Sequence, residues 1–521
     1  MRFLYNNVAV LHVFAVCAVF AWLFGGIRGE FLPPVMPWLT ALLLEATVCF
    51  PQRHEGETTY EARSRVWEAM RRDPLVWVSL GFVVLLLVPF LNKGLCPVCD
   101  YPAIQAGADP RPPIPFFPFC VDRIEHLNVV MWFVPALAAT VATKHALLKR
   151  GKRTLLEMVV WNGLALGALG AVQQVTDAKG PLWYDDINAY FFSTFGYPNM
   201  AGDYFTTLFG LSVGLWRWRL DEPGREEVVA KTAAHGASAE TAGHGHHRHG
   251  DERPAVRGQF WKRHRFLIPA AIFFFCALDT LSRAAVILVT VLAILFFLHT
   301  FICTFSKMKR AQRVKAGALS VPVLALIALC AVMFMPADLQ REVNTLNTTE
   351  VLDRVTGKGQ YHVRVATEIW KDHFLFGVGG WGYKHYCMQY MTDRELRELQ
   401  TVGGMNVHND YLQFLAEHGL VGFGLLASVV LLLLWPLGRI WRAMVDSVRF
   451  IPTKRQPPQP IQVFVLPAPV FCILATAAAT FVHGFGDCPL RSPAVLTLFL
   501  VSLAAMDGYL PRLRKTERDS L

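Results

Sequence analysis

The stretch GGMNVHNDYLQFLAEHGLVGFGLLASVVLLLLW, residues 403–435, changes from polar to strongly apolar within a few helical turns. Its second half is an apolar run long enough for an α-helix to cross the hydrocarbon core of a bilayer. Asp410 and Gln413 have the spacing of a capping box, which predicts a helix that begins directly after His408. Gly419 can end or bend this helix before the apolar run. We therefore expect His408 at a membrane surface, beside a helix N-terminus.

Similar apolar runs recur along the whole chain of 521 residues, of which 53% are hydrophobic and only 17% charged. Soluble proteins carry about 25% charged residues, so the composition indicates an integral membrane protein. We predict an all-α fold with about twelve transmembrane helices and a large, partly helical periplasmic loop. The predicted spans are 6–25, 31–50, 74–92, 127–147, 154–174, 200–217, 266–281, 284–305, 316–335, 419–437, 462–484 and 492–510. The first of these is expected to be an uncleaved anchor.

The predicted spans divide the chain into four regions. Residues 1–199 hold the N-terminal transmembrane helices with their outer loops. Residues 200–335 add further transmembrane helices and a His-rich cytoplasmic insert at 218–265, whose composition is typical of disorder. Residues 336–418 form the large periplasmic loop, in which 361–373 is predicted to be helical. Residues 419–521 contain the C-terminal transmembrane helices.

The net charge of +10 could suggest a nucleic-acid-binding protein, but the distribution of the basic residues argues against this. Most of the Lys and Arg residues fall in alternating segments that the predicted spans assign to one side. By the positive-inside rule that side is cytoplasmic, and both termini lie on it. The segments are 51–73, 148–153, 218–265, 306–315, 438–461 and 511–521. We therefore expect a multi-pass protein of a bacterial inner membrane, with membrane lipid and no nucleic acid as a partner.

Cysteine usage agrees with this topology. None of the 11 Cys residues lies in a segment assigned to the cytoplasm. Five are assigned to the outer side, namely Cys96, Cys99, Cys120, Cys387 and Cys488. An oxidising exterior favours disulfides there, and a structural zinc site would normally need four ligands. We expect a disulfide among these residues, with its pairing open.

Three arginines lie in outer segments or at an outer membrane boundary, where charge is costly unless it is paired or functional. Arg283 stands in a tight turn between two apolar runs, although Asp279 could pair with it one helical turn earlier. Arg364 lies on the predicted helix of the large loop and could be an ordinary exposed residue. Arg491 lies beside Asp487 and could belong to a paired turn.

These residue types suit a lipid-linked pyrophosphate. Arginine forks bind phosphate oxygens bidentately and would stabilise charge on a pyrophosphate leaving group. A histidine such as His408 can take a proton from an acceptor hydroxyl near neutral pH. The alternative is that His408 and Asn409 only order the start of the helix.

The chain resembles the O-antigen ligase and polymerase superfamily of bacterial envelope glycosyltransferases. The ligase loop motif is His-Asn/Ser/Gln, nine residues, Gly-x-x-Gly, and here it reads His408-Asn409, nine residues, Gly419-Leu420-Val421-Gly422. The sequence is also similar to the family in four patches. They are FGYPNMAGDYF (195–205), TLSRAA (280–285), RVATEIWKDHFLFGVGGWGY (364–383) and FVHGFGDCPLRSPA (481–494).

The resemblance implies a periplasmic loop that caps a lateral, lipid-accessible cavity. It implies inverting transfer of a glycan from undecaprenyl pyrophosphate to an acceptor hydroxyl on lipid A-core or a similar glycolipid, without a metal or other cofactor. Under the resemblance, His408 is the general base, and Arg283 and Arg364 bind the pyrophosphate. Asn409 and Arg491 are expected to contact substrate, and Asn199 to line the site.

Other functions remain open from the sequence. An O-antigen or exopolysaccharide polymerase and a protein O-oligosaccharyltransferase would use the same donor chemistry. A metal-dependent transferase could use Asp185 and Asp186, although two aspartates without further oxygen ligands are weak evidence. A transporter could line a path with charged residues within the spans. These residues are Asp203, Asp279, Arg283 and His483.

Overall fold

The computed structural model describes residues 6–95, 105, 112–114, 116–184, 191–221, 261, 263–305, 310–333, 361–402, 406–449 and 466–509. These residues form α-helices joined by short 3-10 turns, with no β-strand among them. The helices, which we number in chain order, are α1 Val8–Trp22, α2 Met36–Cys49, α3 Thr59–Arg72, α4 Pro74–Leu87, α5 Arg123–His145, α6 Lys149–Val175, α7 Pro198–Asp221, α8 Leu267–Asp279, α9 Arg283–Phe305, α10 Arg310–Met333, α11 Tyr361–Asp372, α12 Tyr383–Tyr386, α13 Asp393–Val402, α14 Asp410–Arg449, α15 Ala468–His483 and α16 Pro493–Ala505.

The predicted all-α, strongly apolar architecture is confirmed, because each predicted span overlaps one of these helices. Among the described residues, five helices are long and apolar enough to cross a membrane, namely Pro74–Leu91, Arg123–His145, Lys149–Val175, Arg283–Thr304 and Asp410–Gly438. Six further apolar helices are shorter. The helix predicted in the large loop is also present, as α11. Twelve crossings, the periplasmic side of the loop and the four-region division stay predictions. Most of the His-rich insert, Asp185, Asp186 and the segment 336–360 lie outside the described residues.

Two helices form the centre of the bundle. Residues 200–215 of α7 and every residue of α16 are buried, as expected for helices that are surrounded by other helices. Small residues allow α7 to approach its neighbours closely. A Cβ added at Gly202 would lie 2.4 Å from the Cβ of Ala285, and one at Gly210 would lie 2.3 Å from the Thr476 side chain. These contacts hold α7 against α9 and α15.

Segments that the sequence assigns to opposite sides of a membrane lie at opposite ends of the helix bundle. At one end, Lys144 Nζ lies 2.7 Å from an oxygen of Asp73. Both residues belong to the side predicted to be cytoplasmic. At the other end, the Ser492 hydroxyl donates to the Gly25 carbonyl at 2.9 Å. Both of these residues adjoin predicted outer loops. The end that contains Ser492 also contains the candidate site, and we call it the site end.

Helix α14 is broken at Gly419, whose φ of 61° and ψ of −170° are not helical. A break frees carbonyl groups before it and N–H groups after it. The loop segment 374–379 satisfies these groups through four backbone hydrogen bonds. They run from Val378 N to Ala416 O at 3.0 Å, from Gly379 N to Glu417 O at 2.8 Å, from Leu420 N to Phe374 O at 2.9 Å, and from Val421 N to Leu375 O at 3.1 Å.

Two glycines allow this contact between backbones. A Cβ at Gly419 would lie 2.3 Å from the Leu375 carbonyl carbon, and a Cβ at Gly377 would lie 2.3 Å from the Glu417 carbonyl carbon. Both glycines have positive φ, which disfavours a side chain independently of space. The predicted bend at Gly419 is therefore confirmed, and its role is to dock the large loop onto α14.

The three outer cysteines that the structure describes are Cys120, Cys387 and Cys488. All three are buried and have free thiols. No disulfide therefore joins these three residues, and the expected disulfide stays a prediction for Cys96 and Cys99. The three described cysteines sit as small apolar side chains within packed regions. Cys96 and Cys99 lie outside the described residues.

Candidate functional site

His408 occupies a constrained position directly before α14. Its φ of +53° lies in the left-handed region, which a residue with a side chain rarely adopts. The next residue, Asn409, caps the helix, because its Oδ1 accepts a hydrogen bond from Leu412 N at 3.0 Å. The Asn409 side chain also donates to the Phe485 carbonyl at 3.1 Å. The helix start predicted after His408 is therefore confirmed.

The predicted capping box of Asp410 and Gln413 is wrong. Asp410 is buried and accepts a hydrogen bond from Leu490 N at 2.9 Å, so its side chain joins α14 to the loop after α15. Gln413 accepts from Val407 N at 3.0 Å and so orders the residues before the helix. Asp410 is thus bonded to a distant residue and Gln413 to the segment before the helix, so neither side chain makes the cap that their spacing predicted.

His408 contacts a buried carboxylate. Its Nδ1 lies 3.4 Å from Oδ1 of Asp487, and the exposed fraction of the side chain is 45% for the histidine but only 10% for the aspartate. The imidazole is therefore accessible, while the group that orients it is held inside the protein. This is the geometry in which a carboxylate fixes the tautomer and orientation of a histidine.

Asp487 is held by donors from several segments of the chain. The Tyr197 hydroxyl lies 3.0 Å from each carboxylate oxygen, the Asn199 amide donates to Oδ2, and the Cys488 amide donates to Oδ1 at 2.7 Å. Burial alone would raise the pKa of Asp487. The hydrogen bond and charge of His408, together with the other donors, outweigh burial and hold that pKa below its ordinary value. The carboxylate is therefore ionised at neutral pH. We call Asp487, Tyr197 and Asn199 the carboxylate hub.

Arg491 is engaged by two residues of the protein. Its guanidinium forms an ion pair with Glu417, and its Cζ lies 4.4 Å from the ring centroid of Trp381. The Glu417 side chain is almost fully buried and also accepts from Gln413 at 3.2 Å. Arg491 therefore joins the loop before α16 to the broken helix α14 and to the loop that carries Trp381.

Arg364 lies on α11 with its guanidinium turned toward acidic residues. It forms ion pairs with Glu368 at 2.8 Å and Glu395 at 2.7 Å, and it donates to the Tyr390 carbonyl at 3.1 Å. The side chain is 41% exposed. These contacts brace α11 against the segment around α13.

The same helix carries His362, which the sequence did not single out. Its Nδ1 lies 3.1 Å from the Tyr383 hydroxyl. Burial lowers the pKa of His362 to about 4, and the charge of His408 contributes to this shift. His362 is therefore neutral at neutral pH and close enough to His408 for an electrostatic interaction.

Arg283 is the first residue of α9 and follows a tight turn, as predicted. Leu281 in this turn has a φ of +61°, and the Ser282 hydroxyl accepts from Ala285 N at 3.2 Å as a helix cap. Because Ala285 packs against Gly202 near the start of α7, Arg283 lies at the site end. The structure thus brings His408, Asn409 and Arg491 around one loop, places Arg283 at the same end, and engages Arg364 in ion pairs.

A second buried acid–histidine pair lies inside the bundle. His483 Nδ1 is 3.2 Å from Asp203 Oδ1, and Thr480 donates to the other oxygen of Asp203 at 2.7 Å. Both side chains are almost fully buried. This pair joins α7 to α15 directly below the loop that carries Asp487.

His408, Asp487 and Cys488 could in principle hold a metal ion, since their ligand atoms lie within 4.8 Å of one another. The three side chains instead hold one another. Burial and the charge of Asp487 raise the pKa of the Cys488 thiol well above its ordinary value. The thiol donates to Asp487 at 3.3 Å. We therefore interpret the three residues as a hydrogen-bonded cluster.

The carboxylate hub was not predicted as a functional unit, although its residues lie in patches that carry the family resemblance. Tyr197 and Asn199 belong to 195–205, and Asp487 belongs to 481–494. The only local signal was a polar residue beside a tight turn at the end of a span. Neither patch by itself indicates that the two meet.

The comparisons with known proteins gave one family. Residues 268–427 match the family model described as O-antigen ligase. A search of curated proteins found no match. The matched segment contains Arg283, Arg364 and His408, and it suggests a function like that of a membrane glycosyltransferase. Residues 268–427 are therefore similar to the O-antigen ligase family, and this similarity supports the resemblance that the sequence motifs carry.

Proposed function

We propose that this protein is a ligase-type glycosyltransferase of the bacterial inner membrane. It would move a glycan from undecaprenyl pyrophosphate to an acceptor hydroxyl on lipid A-core or a similar glycolipid, at the periplasmic face. The observation that carries the proposal is the contact between the accessible His408 and the buried, ionised Asp487 at the end of a broken apolar helix. The apolar helices around this site suit donors and acceptors that are lipids.

In the proposed reaction, His408 acts as general base. Asp487 accepts a hydrogen bond from Nδ1–H and so leaves Nε2 as the basic nitrogen. Nε2 takes the proton of the acceptor hydroxyl, and the hydroxyl oxygen forms a bond to the anomeric carbon of the donor. The bond from that carbon to the phosphate oxygen breaks, and its electron pair leaves with undecaprenyl pyrophosphate. Attack from the opposite face inverts the anomeric configuration, and no step requires a metal or other cofactor.

Arginines would stabilise the charge on the leaving pyrophosphate. Arg283 suits this role because it begins a helix at the site end, where the helix N-terminus also favours an anion. Arg364 could take part only by exchanging Glu368 and Glu395 for phosphate oxygens. We propose that Arg491 acts mainly as a positioning residue through Glu417 and Trp381, and that Asn409 contacts substrate from the helix cap.

An O-antigen or exopolysaccharide polymerase and a protein O-oligosaccharyltransferase differ from this proposal only in the acceptor. Of the four residues named for the transporter alternative, Asp203 and His483 pair with each other, and Asp203 also accepts a hydrogen bond from Thr480. These contacts favour a role for the pair in joining helices over a role in lining a path.

The test is the glycolipid profile of cells that lack the gene and are complemented with wild type, His408→Ala or His54→Ala. His54 is an exposed histidine in the segment assigned to the cytoplasmic side and serves as the matched control. If the protein is a ligase, we expect long glycan on the carrier lipid and an unmodified acceptor both in the deletion strain and in the strain with His408→Ala. Complementation with His54→Ala should restore the wild-type profile. Single repeat units in place of polymer would indicate a polymerase. An unchanged profile would contradict both and favour transport.

A further inference from the structure

An exposed apolar surface lies beyond α4 at the site end. Its residues are Leu91, Ile114, Phe116, Phe117 and Ile124, and we call it the outer apolar surface. Phe116 is 95% exposed, Leu91 80% and Ile124 75%. Large apolar side chains that are clustered and this exposed mark a surface that meets a partner or a membrane. None of these residues takes part in the proposed reaction.

The surface is held in shape by a buried asparagine. Asn92, which is fully buried, accepts from Ile114 N at 3.0 Å through Oδ1 and donates to the Ile114 carbonyl at 3.0 Å through Nδ2. The same Nδ2 also lies 3.4 Å from the carbonyls of Phe117 and Pro118. These bonds fix the loop to the end of α4. The Asn92 hydrogen bonds therefore hold the loop in a conformation that exposes Phe116 and Phe117.

The surface continues a lipid-facing stripe. Trp77, Leu80, Val84 and Leu87 are all exposed, and their spacing of three and four residues puts them on one face of α4. Leu91 follows at the next position of this stripe. Residues Pro74–Leu91 are one of the five candidate membrane spans, so an exposed apolar stripe on this helix is expected to face lipid. The outer apolar surface extends the same face past the end of the span.

The charged residues around the surface suit a phospholipid headgroup. Lys93 and Arg123 are both exposed, and Arg123 also donates to the Phe90 carbonyl at 3.1 Å. Two acidic residues lie in this turn and both are engaged. Asp122 accepts from the amides of Ile124 and Glu125 as a helix cap, and the Glu125 side chain forms ion pairs with Lys384 and His385. Cations beside exposed aromatic residues are typical of the interface between membrane and water.

We propose that the outer apolar surface inserts into the boundary between headgroups and acyl chains at the site end, with phospholipid as its partner. A protein partner is disfavoured because it would have to cover a surface continuous with the lipid-facing stripe of α4. The inference needs α4 to span the membrane but is independent of the proposed transfer chemistry.

The insertion would also fix the depth of the candidate site. A Cβ at Gly379 would lie 2.5 Å from the Phe119 carbonyl, and Gly380 N donates to His126 Nδ1 at 2.9 Å. The segment that carries Trp381 therefore rests on the loop that carries Phe116. Trp381 in turn stacks on Arg491.

The test places the photo-crosslinking residue p-benzoyl-phenylalanine at Phe116 in the full chain. The protein is reconstituted in vesicles of phosphatidylethanolamine and phosphatidylglycerol, irradiated, and analysed by mass spectrometry. Leu87, on the stripe of α4, is the lipid-exposed control. Gln389, an exposed polar residue in the loop after α12, is the aqueous control.

We expect a mass shift of one phospholipid at Phe116 and at Leu87, and no lipid adduct at Gln389. A lipid adduct at Leu87 with none at Phe116 would overturn the inference, because the surface would then face water. A doubled protein mass at Phe116 would also overturn it and would indicate a second copy as the partner. Since Phe116 is almost fully exposed, the substitution leaves folding contacts intact. Because the readout is lipid contact, its result is separate from any failure of the proposed transfer reaction.

Discussion

At the scale of single residues, the proposed transfer depends on the pair of His408 and Asp487. The aspartate is ionised and buried, while the histidine is accessible. A histidine with its Nδ1 held by a carboxylate is oriented and poised to accept a proton at Nε2. Without the carboxylate, the His408 ring would lose the group that fixes its tautomer and orientation.

We expect Asp487→Asn to lower the rate of glycan transfer about 10²- to 10⁴-fold, the range that general base catalysis contributes. The asparagine cannot hold Nδ1–H as an ionised carboxylate does, although it has nearly the same shape. The measurement is the initial rate with purified protein and a lipid-linked donor.

The matched control is Asp177→Asn. Asp177 forms an exposed ion pair with Lys179, and such pairs contribute little to stability. Its variant should keep the wild-type rate. Equal rates for Asp487→Asn and Asp177→Asn would contradict a catalytic role for the pair of Asp487 and His408.

His362 gives a prediction about pH. Its folded pKa is about 4, below the value of 6.5 for an unperturbed histidine, because burial disfavours the charged form. The unfolded chain therefore binds more protons than the folded protein between these two pH values. The contribution of His362 to stability is complete above about pH 6.5 and is lost as the pH falls toward 4.

We expect the wild-type melting temperature to fall over this pH interval more steeply than that of His362→Gln, measured in detergent. The glutamine oxygen can still accept from Tyr383 but does not titrate. Identical slopes for the two proteins would show that His362 is not held neutral by burial.

At the scale of elements, the broken helix α14 determines how the large loop reaches the site. The loop segment 374–379 takes over the hydrogen bonds that the break at Gly419 leaves open. Membrane proteins tolerate a broken helix only where its backbone groups find such partners.

Gly419→Ala should destabilise the protein by about 3 kcal/mol or more, since a Cβ would meet the Leu375 backbone at 2.3 Å in a left-handed conformation. Gly424→Ala in the same helix is the matched control, because a Cβ there meets nothing within 4 Å. It should be neutral or stabilise the helix by up to about 1 kcal/mol. Thermal unfolding of the two variants in detergent measures the difference. Similar unfolding temperatures would mean that the contact between loop and helix is not tight.

The elements also show what the sequence can predict. Apolar runs and the glycine at 419 predicted the helices and the break, because helix formation and bending leave local patterns. The cap predicted at Asp410 was wrong, because its carboxylate accepts a hydrogen bond from the distant Leu490 amide instead of a local one. The hydrogen bonds between the loop segment 374–379 and α14 were not predicted, since backbone pairing between distant segments leaves no periodic pattern in the sequence.

At the scale of the whole molecule, the segments assigned to each side of the membrane gather at opposite ends of the bundle. Asp73 meets Lys144 at one end, and Gly25 meets Ser492 at the other. This arrangement agrees with the sidedness that the basic residues indicate, and it leaves the orientation in the membrane as a prediction.

Reporter fusions test the orientation. Alkaline phosphatase inserted between residues 336 and 360 should be active, because that enzyme needs the periplasm. Green fluorescent protein at the C-terminus should fluoresce, as it does in the cytoplasm. The opposite pattern would put His408 on the cytoplasmic side and exclude the proposed donor geometry.

Much of the candidate site could be predicted from local sequence, and its centre could not. His408 and Arg283 follow from short patterns beside apolar runs. The carboxylate hub joins Tyr197 and Asp487, which are 290 positions apart in the chain. Only the packing of α7, α15 and α16 brings these residues together.

The most direct test of the central claim is glycan transfer by purified protein in vesicles that contain a glycan on undecaprenyl pyrophosphate and a lipid A-core acceptor, with excess EDTA. We expect wild type to form the glycosylated acceptor in EDTA with inverted anomeric configuration. We expect His408→Ala to form at least about 10²-fold less product, while His54→Ala matches wild type. Transfer by His408→Ala at the wild-type rate, or activity that EDTA abolishes and a divalent metal restores, would contradict the proposed reaction.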